Sequence, residues 1–143
     1  MLAGAAVAGG LETNPYLQID NRMALLVDSS ERNQVLFDMR ELLHGMFHIQ
    51  NALARHDLKA IPDVVMPMGK LMQNMPQSML RRMPDEYKYL GSGLQAAYTN
   101  VAQAAIAGDH AKVDAYLAEA LTYCSGCHDS FRFVVGKVPF SSK

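Results

Sequence analysis

Apolar residues recur at spacings of three and four through most of this chain, and that period restricts the fold more than any other feature. Val35, Leu36, Met39, Leu42, Leu43, Met46, Phe47, Ile49 and Leu53 mark one helical stretch. It is opened near Ser29 by Asp28 and Glu31, the spacing of a capping box. A second helix is expected over residues 58–75, with Pro62 in its first turn and Pro67 expected to kink or split it. Pro76 and Pro84 bracket a connector with room for one helical turn. Pro84-Asp85-Glu86 opens a third helix that Gly108 ends, and Asp109 caps a fourth that is expected to run until Gly136 and Pro139 stop it. No alternating pattern of a strand stands out. Four amphipathic helices on short connectors predict an all-α fold, an antiparallel four-helix bundle.

The bundle is expected over residues 29–143, preceded by an extension over 1–28. Within that extension, MLAGAAVAGG is too short to span a bilayer. Ala6-Val7-Ala8 before Gly9 resembles a cleavage site, so this stretch reads either as the tail of an export signal or as a plain terminus. Residues 11–27 read as an extended lead-in with room for a short helix. Half of the residues are apolar, enough for a real core. Thirteen basic against 14 acidic residues leave a net charge of −1, which gives no electrostatic reason to expect nucleic acid or an anionic membrane as partner.

The two cysteines lie three residues apart in Cys124-Ser125-Gly126-Cys127-His128. A disulfide between them would close only a very short loop. C-x-x-C-H has the spacing of covalent haem attachment: each thiol adds across one vinyl group, and the following histidine reaches the iron. Three readings compete. A redox dithiol normally opens a helix after a strand. A structural zinc site would need two further ligands, drawn from the five histidines. The pentapeptide could also fall by chance in a core helix. The haem reading is preferred on motif and context together, and it requires maturation outside the cytoplasm.

At this point the sequence resembles the class II c-type cytochromes, the cytochrome c-prime family. Ala107-Gly108-Asp109 before the last helix and the run CSGCHDSFR, with Arg132 four residues after His128, carry the likeness. It covers about residues 30–134 and is weak over 62–84. The resemblance implies one covalent haem c in the core of an up-down-up-down bundle near the C-terminal helix. It also implies a periplasmic location, often a homodimer, and Arg132 beside the haem. Family members differ in the sixth ligand. Some leave the distal face open under an apolar side chain and bind NO or CO; others place a Met there and carry electrons. An arginine one turn earlier, Arg32, points to Leu36 as the distal residue, whereas counting back from the loop ARHDLKAI points to Met39. Met39 is preferred as distal ligand, with Leu36 and Leu43 beside the cofactor and Met46, His44 or His48 as other ligands to weigh. A His–His pair would lower the potential and a Met–His pair raise it.

Met66, Met68, Met72, Met75, Met79 and Met83 crowd one short stretch. Thioethers suit Cu(I), but unbranched Met more often fills irregular gaps. Neither paired carboxylates, nor a nucleophile–base arrangement, nor a phosphate loop is visible, which argues for a carrier rather than an enzyme. The expectation is a monohaem one-electron carrier serving redox protein partners. A five-coordinate gas-binding protein and a subunit associated with a larger membrane complex are the alternatives.

Overall fold

The computed structural model describes residues 20–138; the expected export-signal remnant and the stop at Pro139 lie outside them. The chain is mostly helical. Strand β1 (Met23–Val27) leads into α1 (Ser29–Ala54). A 3-10 turn (Leu58–Ala60), α2 (Ile61–Leu71), a second 3-10 turn (Met72–Asn74) and the short α3 (Gln77–Leu80) follow. The chain continues as α4 (Asp85–Ile106), α5 (His110–Ser130) and strand β2 (Phe131–Val135).

The helix boundaries follow local chemistry. At α1 the Asp28 carboxylate accepts from the N–H groups of Ser30 and Glu31, and Glu31 accepts from the Asp28 N–H, completing the capping box. Asp109 caps α5 by accepting from the Lys112 N–H at 3.1 Å. Gly108, at φ +73, turns the end of α4, where its N–H donates to the Ala105 carbonyl and that of Asp109 to the Ala104 carbonyl. Pro67 lies inside α2, which continues through it. The missing N–H affects only the Asp63 carbonyl four residues back, and burial of Ile61, Val65 and Met68 holds the helix against that loss.

The last helix is shorter than its sequence suggests. It stops at Ser130, and Phe131–Val135 pairs in parallel with Met23–Val27, Met23 opposite Phe131 and Val27 opposite Val135. The run FRFVV is aromatic and β-branched, which favours a pleated, half-buried surface once a partner strand is present. That partner lies more than 100 residues earlier, beyond the reach of any local pattern.

Two apolar cores result. The larger joins Ile49, Val65, Tyr98, Val101, Val113 and Leu117 from α1, α2, α4 and α5. The smaller joins Leu25 and Val27 of β1, Met79, Met83, Tyr87 and Phe131. The crowded methionines are thus divided by function in packing: Met68 belongs to the first core, Met79 and Met83 to the second, and Met66 is exposed. Met68 lies where a Cβ on Gly45 would be, so the bare backbone at Gly45 admits α2 against α1. Helices pack in sequence, α1 on α2, α2 on α4, and α4 on α5.

Candidate functional site: an apolar cavity between α1 and α5

A cavity of about 350 Å³ is lined by residues of α1, α4 and α5, at the junction of the two cores. It falls within the size range of sites for small organic ligands and cofactors. Cys124, Cys127 and His128 of α5 line one wall, and Val35, Met39 and Leu42 of α1 another. Tyr87, Leu90, Gly91 and Leu94 of α4 lie along it, while Arg132 and Phe133 reach it from β2 and Arg22 from just ahead of β1.

Helical spacing explains the convergence. Val35, Met39 and Leu42 are four and three residues apart, so they share one face of α1. Cys124, Cys127 and His128 do the same on α5. The two cysteines straddle the cores, Cys124 packed against the larger and Cys127 against the smaller. Burial pushes the Cys124 thiol up from its ordinary value. Burial, with the nearby Cys124 second, pushes the Cys127 thiol up to about 11. Burial likewise raises the phenol of Tyr98 above its ordinary range. Burial also raises the Tyr87 phenol well above its ordinary range, and its ring meets Phe131 and Phe133 edge-on at 5.7 and 6.1 Å.

Of the residues singled out in the sequence, the structure brings Cys124, Cys127, His128, Arg132 and Met39 to one cavity. Leu36 and Leu43 do not line it. Both are exposed, Leu43 at 68%, because they fall on faces of α1 turned away from α5. His44 and His48 are exposed as well, and Met46 packs on the larger core. Arg132 reaches the cavity from β2 rather than from a continued helix, so the one-turn relation to His128 read from sequence is not how it gets there. Arg22, Tyr87, Leu90 and Leu94 were not singled out as site residues. The apolar period of α4 carried Tyr87, Leu90 and Leu94, but nothing local marks Arg22.

The lining fits a largely apolar group held through sulfur: two thiols and the exposed His128 come from α5, and a thioether from α1. The Cys-x-x-Cys pair sits in the last turns of α5, where the helix dipole disfavours a thiolate, unlike the helix-start placement of redox dithiols. Among the described residues, no three His, Cys, Asp or Glu side chains gather as a metal-ion cluster, so the four-ligand arrangement of structural zinc is not present there. No helix of the described residues is long and apolar enough to cross a membrane. Compared with known protein families, curated proteins and solved structures, the chain finds no match.

Proposed function

We propose that this chain is a monohaem c-type cytochrome, a one-electron carrier with His128 and Met39 as axial ligands and Cys124 and Cys127 as the points of covalent attachment. The observation that carries the reading is the shared cavity: Cys124, Cys127 and His128 of the C-x-x-C-H motif line one apolar cavity to which α1 contributes Met39. The haem c would supply the one-electron couple between ferric and ferrous iron.

The chain's own residues have definable tasks. Cys124 and Cys127 fix the cofactor to α5 by two thioether bonds, and His128 provides the imidazole. Met39 offers a thioether from α1, a ligand that favours the reduced state and raises the potential. Tyr87, Leu90, Leu94 and Phe131 give the cavity an apolar lining, which would disfavour the more highly charged ferric state and so raise the potential. Val35 and Leu42 line the cavity on the same face of α1 as Met39.

In this reading α1, α2, α4 and α5 form the antiparallel up-down-up-down bundle of the class II cytochromes, with α3 as an added turn. Maturation would take place in the periplasm, and the partners would be redox proteins. The exposed apolar residues of α1, Phe37, Leu43 and Phe47, leave a surface for self-association or for a larger complex. Optical spectra of the matured protein test the ligand assignment. Wild type is expected to be low-spin in the ferric state with a sulfur-to-iron charge-transfer band, and Met39→Leu to become high-spin and to bind carbon monoxide rapidly once reduced. A wild-type protein that is already high-spin and binds carbon monoxide as fast as Met39→Leu removes Met39 as ligand and leaves the gas-binding function.

A further inference from the structure

One side chain ties opposite ends of the chain together beside the cavity. Arg22, immediately before β1, donates from Nη1 to the main-chain carbonyl of His128 at 3.2 Å and to that of Phe131 at 3.5 Å. The Asp20 carboxylate holds the guanidinium in place, accepting from Nε at 2.9 Å and from Nη2 at 2.8 Å. Arg132 returns the contact, its Nε donating to the Arg22 carbonyl at 3.3 Å. The β1–β2 register then continues from Met23 and Phe131.

The last four carbonyls of a helix have no donor within it. Because α5 ends at Ser130, the His128 carbonyl is one of these. The Cys127 carbonyl is satisfied by the Phe131 N–H, whereas the His128 carbonyl takes its donor from outside the helix, from Arg22. His128, an exposed residue at the rim of the cavity, is therefore held by its backbone from Arg22, just ahead of β1 near the other end of the chain. A guanidinium can serve two carbonyls and a carboxylate in one plane, and a lysine ammonium on its flexible stem does not reproduce that arrangement.

We propose that Arg22 is a positioning residue for the proximal ligand: through the His128 carbonyl it fixes the backbone that carries the imidazole, and Asp20 holds the guanidinium for the task. This rests on the assignment of His128 as an iron ligand. Groups one step removed from a metal orient its ligands and tune its potential, and Arg22 would act in that way from the main-chain side. The pairing of β1 with β2 then has a functional consequence, since it delivers Arg22 to the end of α5.

The test uses the haem-loaded full chain and three variants, Arg22→Met, Arg22→Lys and Ile61→Ala. Ile61 is buried in α2 within the larger core and does not line the cavity, so its variant lowers stability without touching β1, Arg22 or His128. Both Arg22 variants are expected to change the ferric electron paramagnetic resonance spectrum. Arg22→Met is expected to shift the ferric–ferrous equilibrium about fivefold towards ferric, ~40 mV at 59 mV per tenfold for one electron. Ile61→Ala is expected to melt earlier while keeping the wild-type spectrum and potential. Three results overturn the proposal: Arg22→Met altering stability alone, Arg22→Lys restoring the wild-type spectrum, or Ile61→Ala moving the potential as far as Arg22→Met. A wild-type chain that takes up no covalent haem would instead refute the reading of the Cys-x-x-Cys-His motif, so the two failures are distinguishable.

Discussion

Removing the Glu31 carboxylate should destabilise the protein far more than losing a surface ion pair would. Glu31 serves two partners at once. It accepts from Arg82 Nη2 at 2.6 and 2.7 Å and from the Asp28 N–H at 3.0 Å. The side chains are 9% and 17% exposed, so the pair lies largely out of water. Breaking such a pair from one side costs about 3–5 kcal/mol, because the remaining charge is stranded. The residual exposure of Arg82 lets water reach part of it, which puts the pair near the lower figure of about 3 kcal/mol. The Asp28 N–H losing its acceptor adds about 1 kcal/mol. For a chain of this size a loss of about 4 kcal/mol lowers the melting temperature by ~10–15 °C. Thermal and urea unfolding followed by circular dichroism would measure it for Glu31→Ala. The double variant Glu31→Gln with Arg82→Met should recover most of the loss, since it strands no charge. Arg82 Nε strengthens that expectation, being buried with no partner among the described residues. A loss below about 1 kcal/mol for Glu31→Ala, the range of exposed pairs, would refute the reasoning.

Gly45→Ala should cost about 1–3 kcal/mol, because the new methyl meets the buried Met68 side chain and α2 must shift against α1; a neutral result in urea unfolding would mean that Met68 repacks freely. Acid should loosen the Asp20–Arg22 tie and the Asp109 cap of α5. The hydrogen-bonded Arg22 guanidinium holds the Asp20 carboxyl down to about 2, against an ordinary 3.8, and the Lys112 N–H, then its ammonium, hold Asp109 below the ordinary carboxylate value. Both groups are depressed in the folded state, so their stabilisation is full above the ordinary value and is lost as pH falls through the folded one. Melting temperature should fall between about pH 4 and 2, and more shallowly in Asp20→Asn; parallel curves for the variant and wild type would contradict the assignment.

The helices were legible because their information is local. Asp28 with Glu31, Pro84 with Asp85, and Gly108 with Asp109 mark ends within a few residues, and the apolar period marks the buried faces. The strands were not, because FRFVV continues the apolar character of α5 and becomes a strand only through MALLV at the far end of the chain. The same distance hid Arg22, whose role depends on a carbonyl 106 residues later. Along α1 the period identified Val35, Met39 and Leu42 as apolar but could not say which residues of the stripe face α5. Rotation about the helix axis is set by packing of α2 at Gly45, and it turns Leu43 to solvent while bringing Met39 to the cavity.

The measurement closest to the central claim is the intact mass of the chain expressed with and without a haem-attachment system, together with extraction by acidified organic solvent. One covalent haem predicts a mass increase of a single haem only when that system is present, and colour that stays with the protein through extraction. Cys124→Ala and Cys127→Ala should each leave a single thioether, with the haemochrome band shifted to longer wavelength. Full-length protein made with the attachment system that keeps both thiols free, or that releases all its colour into the solvent, would contradict the account.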